Sequence, residues 1–189
     1  MSTYYHEQVY QPAEDTILLY ETALREIKPG DRVIEIGTGS GYISSGLKEM
    51  GGFLISTDIN PFACISARKC GCEVIRADLL SGICGIFDLV LFNPPYLPTG
   101  EDEKLDDWLE YALDGGKDGR ETIRRFAAGL DAVLSKNGRC LLLVSSLTGA
   151  GETGKIFSDL GFITFIAAER KVEDESLFIL RITRDLCKC

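Results

Sequence analysis

Four consecutive residues, Asn93-Pro94-Pro95-Tyr96, stand directly after the apolar run Phe87, Leu89, Val90, Leu91 and Phe92. The run reads as a buried strand, which puts the tetrapeptide at that strand's carboxyl end. Prolines fix φ and carry no N–H, so they do not extend a sheet, and their carbonyls stay available as acceptors. Asn93 brings one acceptor and two donors. Tyr96 brings a flat apolar wall. Together they suit a planar amide or an amino group presented as –NH2. A plain Pro-rich turn that ends a strand is the alternative.

Upstream lies a second chemical cluster, Val33-Ile34-Glu35-Ile36-Gly37-Thr38-Gly39-Ser40-Gly41. Gly37, Gly39 and Gly41 allow a tight turn and a close approach to a ligand. Asp58 ends the next strand, where a ribose diol needs an acceptor, and Asp78 ends the third, within reach of a base. Acceptors at the ends of three successive strands point to a nucleotide-like ligand. The dinucleotide fingerprint G-x-G-x-x-G/A fails, because its last position falls on Tyr42, and the chain holds no Gly-Lys-Ser/Thr phosphate loop. Glu35, before the first glycine, repels pyrophosphate and favours a cation. S-adenosylmethionine fits, with an ammonium, a sulfonium, a ribose and an adenine but no phosphate. Glu35 paired with a lysine or arginine for stability is the competing reading.

The surrounding pattern alternates strands and helices. A helix spans 12–28 with Ile17, Leu18, Leu24 and Ile27 on a helical period, opened by Pro12 and closed by Pro29-Gly30. Strands are expected at 32–36, 53–57, 73–77, 87–92 and 139–145, with helices to about Met50 and over 61–70, 119–136 and 150–160. Strands 162–169 and 177–183 flank the charged turn Glu173-Asp174-Glu175 and read as a hairpin at the sheet edge. Segment 97–118 is an acidic loop or lid with a helical turn around Trp108. The predicted fold class is α/β: a Rossmann-like, seven-stranded, mostly parallel sheet with one antiparallel strand near the C-terminus and helices on both faces. One domain over 1–189 is expected.

The chain has 189 residues, 45% of them hydrophobic, and a formal charge of −9. It shows no basic leader followed by an apolar run and no stretch of membrane-spanning length, so a soluble, cytoplasmic protein is expected. Seven cysteines and one histidine argue against a disulfide framework, a zinc site or Ser-His-Asp chemistry; no metal ligands are assigned. His6 reads as a solvated residue. Arg120, Arg124 and Arg125 recur at helical spacing and read as a solvated face. The acidic balance opposes direct nucleic-acid binding.

Glu35-Ile-Gly-Thr-Gly-Ser-Gly41 with Asn93-Pro-Pro-Tyr96 resembles a class I methyltransferase of the amino-methylating type, a motif pair shared by DNA adenine methyltransferases and HemK-type protein glutamine methyltransferases. Val9-Tyr-Gln-Pro-Ala-Glu-Asp-Thr16 is similar to the short archaeal and eukaryotic HemK branch, which methylates the glutamine of the GGQ motif in class 1 translation release factors. The resemblance runs from about Val9 to Thr183. It implies that Thr16, Glu35, Gly37, Gly39, Gly41, Asp58, Asp78, Leu79 and Asn93 contact S-adenosyl-L-methionine. It implies further that Asn93, Pro94, Pro95 and Tyr96 are catalytic, with Asn93 and the Pro94 carbonyl holding the target amide nitrogen. First-turn acidity favoured by the helix dipole is another reading of Glu14-Asp15-Thr16. The branch also implies a heterodimer, in which a small zinc-binding activator pairs with the third-strand edge, Cys72 to Ala77, using Val74 and Ile75.

The expected reaction is direct in-line methyl transfer to a glutamine side-chain nitrogen, N5-methylation, with no positioned general base. Orientation would supply roughly 7–11 kcal/mol of the acceleration. The rivals are adenine N6-methylation of DNA or RNA with a flipped base, methylation of another protein side chain such as lysine, and a non-catalytic cofactor-binding scaffold for a zinc-binding partner.

Overall fold

In the computed structural model, which describes residues 6–50, 52–98, 107–173 and 175–187, seven strands form one sheet in the order β3-β2-β1-β4-β5-β7-β6. The strands are β1 (Arg32–Ile36), β2 (Phe53–Asp58), β3 (Val74–Arg76), β4 (Phe87–Phe92), β5 (Leu134–Ser145), β6 (Phe162–Lys171) and β7 (Ser176–Arg184). The helices are α1 (Glu14–Glu26), α2 (Tyr42–Leu47), α3 (Pro61–Lys69), α4 (Trp108–Tyr111), α5 (Glu121–Val133) and α6 (Ala150–Asp159). β1 to β5 run parallel, and β7 lies antiparallel to both β5 and β6. The expected hairpin therefore exists, and its second strand inserts between β5 and its own partner.

Period-2 alternation explains the two layers of helices. Ile34, Ile36, Val90, Phe92, Leu142 and Val144 face one side and pack against Ile123, Phe126 and Leu130 of α5 and Phe157 of α6. Val33, Leu89, Leu91, Leu141 and Leu143 face the other and pack against Leu18, Leu19 and Ala23 of α1 and Ile43 and Leu47 of α2. Strands buried on both faces read as continuous apolar runs, which is why β4 and β5 stand out in the sequence.

Several boundaries shift from expectation, and two of the shifts bear on the sheet. The helix expected to reach 136 stops at Val133, because Leu134 pairs with Phe87 and is drawn into β5; the register then shifts between Phe87 and Leu89. Pairing with β4 outweighs the local helical preference of that stretch. β3 is also only three residues long. Of segment 97–118, residues 99–106 lie outside the described residues, as do Asp174 of the hairpin turn and Cys189. The helical turn at Trp108 is present as α4, and Leu97 bridges to Asp114.

At the end of the sheet where β1 and β5 begin, Arg139 is 2% exposed. It meets Asp31 at 2.6 Å and the Asp88 carbonyl at 2.9 Å, and also bonds the Glu26 carbonyl, tying the entries of β1, β4 and β5 to the end of α1. Burial pushes the Asp31 carboxyl up, but the Arg139 hydrogen bond, the Lys28 N–H and the Arg139 charge outweigh it and hold the group below its ordinary value. Arg139→Ala should leave that carboxylate unpaired and cost about 3–5 kcal/mol, measured by urea denaturation at neutral pH.

Candidate functional site

β1 has β2 on one side and β4 on the other, so the crossovers leave it in opposite directions and open a crevice at its carboxyl end, where ligands bind in such sheets. The ends of β1, β2, β3 and β4 meet there. The crevice is lined by Thr16, Glu35, Gly37, Gly39, Asp58, Asp78, Leu79, Asn93, Pro94, Pro95 and Tyr96, joined by Tyr10, Asp15, Asn60, Trp108, Tyr111 and Arg125. Of the cofactor-binding residues expected from sequence, Gly41 alone is not in this lining. It has φ +82°, and a Cβ there would lie 2.7 Å from the Ala67 Cα, so it serves the turn into α2 and the packing of α3.

Three N–H groups of the glycine loop are satisfied from within. Thr38 N–H donates to the Thr57 carbonyl at 2.9 Å, Gly39 N–H to Asp58 Oδ2 at 2.8 Å, and Gly41 N–H to the Thr38 carbonyl at 2.9 Å. These are the donors that a phosphate cradle would leave pointing at its ligand. Asp58 also accepts from Asn60 N–H at 2.8 Å. Burial pushes its carboxyl up, against the N–H groups of Gly39, Asn60 and Ile59. Asn60 caps α3 by accepting from Phe62 N–H and donates its own amide to the Gln8 carbonyl at 2.7 Å. His6, which is exposed, stacks on Phe62 at 4.1 Å, so the strap before α1 is held beside the loop.

Glu35 is 3% exposed at the end of β1. Thr38 Oγ1 donates to it at 2.8 Å and Ser44 Oγ donates as well, with Ser56 Oγ 2.6 Å from Ser44. No lysine or arginine pairs with it among the described contacts, so the stabilising ion pair weighed from sequence is replaced by hydroxyls. Burial raises its carboxyl to about 7, against the hydroxyls of Ser44 and Thr38.

Asp78 lies 2.5 Å from Arg125 of α5. Of the three arginines read as a solvated face, Arg124 and Arg125 are exposed, and all three also pair: Arg120 and Arg124 with Asp118, and Arg125 with Asp78 at the crevice wall. Next to Asp78, Leu79 has φ 51°, the single non-glycine residue with positive φ among those described. A strained backbone of this kind persists where surrounding structure enforces it, and such positions cluster at ligand sites.

Beside the tetrapeptide is Asp15, whose role sequence reasoning missed although it stands next to Thr16. It is 3% exposed and accepts from Asn93 Nδ2 at 3.0 Å and from the Tyr10 hydroxyl at 3.0 Å. Asn93 Oδ1 is buried without a hydrogen-bond partner. Burial first, then the Asp15 charge, push the Tyr10 and Tyr96 phenols above their ordinary values, so both stay protonated. Arg76 sits 5.8 Å from the Trp108 ring, linking β3 to α4 across the crevice rim.

This arrangement offers carboxylates and a carboxamide oxygen, and Arg125, the one lining cation among the described residues, is already paired. It suits a neutral or cationic ligand and a donor-bearing target. Comparison with known proteins decides the family. A protein of Methanocaldococcus jannaschii named as a protein N5-glutamine methyltransferase is 44% identical over 186 residues, covering 95% of this chain and 93% of the relative. The chain belongs to the HemK-type protein N5-glutamine methyltransferase family. Human methyltransferase HEMK2, another relative, is 33% identical over 192 residues, covering 93% of this chain and 90% of its own. No family model matches the chain. Among solved structures, Mtq2 of E. cuniculi, determined in complex with Trm112 and described as methylating the eRF1 termination factor, superposes with a TM-score of 0.79 at 34% identity, over 94% of this chain and 99% of that one. The ribosomal protein L11 methylase of Lactobacillus delbrueckii shares the fold with a TM-score of 0.70 at 17% identity.

Glu35 has a consequence for the stability of this chain without a ligand. Its folded pKa of about 7 lies above the ordinary 4.5. Between those values the unfolded chain has lost the proton that the folded chain retains, so stability falls as pH rises. From pH 5 to pH 8 the loss should be roughly 2–3 kcal/mol. Urea midpoints at the two pH values measure it, and Glu35→Gln should flatten most of the difference.

Proposed function

We propose that this chain, as one methyltransferase domain, N5-methylates the glutamine of the GGQ motif in a class 1 translation release factor, using S-adenosyl-L-methionine. The observation that carries the reading is the Asn93 carboxamide. Its NH2 is committed to Asp15 and its Oδ1 is buried without a partner. An unsatisfied buried acceptor costs about 1–3 kcal/mol, which a target N–H in the crevice would offset. The named activity of the relatives supports the choice of a glutamine amide over other –NH2 groups.

The residues present fit the cofactor. Three of the loop N–H donors are consumed internally, which disfavours phosphate, and buried Glu35 suits an ammonium. Asp58 and Asp78 are acceptors for a ribose and a base, with Ile59, Ala77 and Leu79 as apolar wall; Thr16, Gly37 and Gly39 complete the holding set. When bound, S-adenosylmethionine supplies an electrophilic methyl group.

The chain's own residues do the rest by placement. Asn93 Oδ1 accepts one amide hydrogen of the target and the Pro94 carbonyl the other, aiming the nitrogen. Pro94 and Pro95 hold that geometry rigid, and Tyr96 flanks the planar amide. The amide nitrogen is a weak nucleophile because its lone pair is delocalised, so acceleration rests on orientation. A cytoplasmic location goes with that proposed substrate; no described helix is long and apolar enough to cross a membrane.

The reading extends to a partner. β3 is an edge strand, its outer side pairs with no described strand, and Ile75 on it is 43% exposed. The proposed occupant is a small zinc-binding activator that adds a strand there; Mtq2 of E. cuniculi was likewise solved with Trm112.

Incubation with S-adenosylmethionine and a purified release factor, with and without the activator, followed by tandem mass spectrometry, tests the function. A methyl on the GGQ glutamine is expected. Asn93→Ala should lower its rate by about 100-fold or more, with cofactor affinity by calorimetry much less affected. Wild-type activity in that variant would overturn the assignment. Ile75→Asp should abolish co-elution with the activator while leaving the circular dichroism spectrum unchanged.

A further inference from the structure

A carboxamide is ambiguous: rotation by half a turn about its last bond exchanges an acceptor for two donors. Resting on the reading above, we propose that Asp15 is the positioning residue that makes Asn93 a one-way acceptor toward the target nitrogen. Asp15 sits in the first turn of α1 and Asn93 after β4, 78 residues apart, yet Nδ2 of Asn93 donates to Asp15 Oδ2 at 3.0 Å. An ionised carboxylate only accepts, so the NH2 end must face it. Oδ1 then points away from Asp15, and it is this atom that is buried without a partner.

The remaining bonds of Asp15 define its role. Oδ2 also accepts from the Tyr10 hydroxyl at 3.0 Å, and Oδ1 accepts from Thr16 N–H at 2.5 Å and Thr16 Oγ1 at 3.1 Å. A carboxylate has about four acceptor sites, and all are filled, two on each oxygen. Asp15 therefore has no capacity left to take a proton from the substrate, and it acts through Asn93. A role confined to the helix dipole does not require a carboxylate 3% exposed and bonded across the molecule.

Asp15→Asn is the informative variant. The fixed N–H of Thr16 keeps a carboxamide oxygen on its side and turns the new NH2 toward Asn93. Asn93 would then rotate to accept, and its Oδ1 would be consumed by residue 15. The expected result is a fall in kcat of about 100-fold, with KM and affinity for S-adenosylmethionine and the melting temperature nearly unchanged. The exchanged pair Asp15→Asn with Asn93→Asp returns an acceptor to position 93 and should recover at least about tenfold over Asp15→Asn alone.

A readout independent of turnover is the Asn93 side-chain amide in a nitrogen–proton NMR spectrum, assigned by its absence in Asn93→Ala. It should be slow to exchange with solvent in the wild type, and shifted and faster in Asp15→Asn. An unmoved resonance, a kcat within twofold of wild type, or a loss of cofactor affinity and thermal stability in proportion to kcat would each overturn the proposal. If the wild type methylates no glutamine but the resonance moves as stated, the substrate reading falls and the positioning role stands. Should Asp15→Asn not fold, the exchanged pair and the wild-type exchange rate decide.

Discussion

The parallel pairing of β1 with β4 is the constraint on which the site depends. Ile36 lies opposite Phe92 in that register, so the chain leaves the sheet side by side at Gly37 and at Asn93. Cofactor loop and target pocket become neighbours because of one strand pair. β2 on the other flank of β1 delivers Asp58 to the same place, where it takes the Gly39 N–H. The burial of Ile36 and Phe92 against α5 holds this register, since a slip of one residue would turn every side chain to the wrong face.

Around that junction several donors are used internally, and the Asn93 Oδ1 acceptor is left without a partner. The loop N–H groups bond Thr57, Asp58 and Thr38, and Asn93 gives its NH2 to Asp15. Buried carboxylates at such density are costly. The cost is met in different ways at each position. Glu35 is held by two hydroxyls and rises toward neutrality, Asp58 by backbone N–H groups, and Asp15 by a filled set of four donors, while half-buried Asp78 pairs with an arginine. The same economy of donors explains why a nucleotide loop in this chain suits a phosphate-free cofactor.

The rim is built from elements distant in sequence. Arg76 of the short edge strand rests over Trp108 of α4, and Arg125 of α5 reaches Asp78. The edge available to a partner and the wall of the crevice thus share one side chain. Stability at the opposite end of the sheet rests on Arg139, which leaves the functional end free of that structural duty.

What the sequence determined by itself was whatever local physics encodes. Apolar runs of strand length, the positive-φ glycines of residues 37–41, Pro61 opening α3 and the rigid Asn93-Pro94-Pro95-Tyr96 turn all depend on neighbours a few residues away, so the α/β class and the two motifs were legible without a structure. Tertiary structure decided everything that rests on long-range partners. It drew Leu134 out of a helix into β5 through Phe87, placed β7 between β5 and β6, and set Gly41 against Ala67. It also matched Arg125 to Asp78 and Asp15 to Asn93. Composition cannot announce such pairings, because a carboxylate's partner is set by which strand ends the sheet brings together, and that is known only once the register is formed.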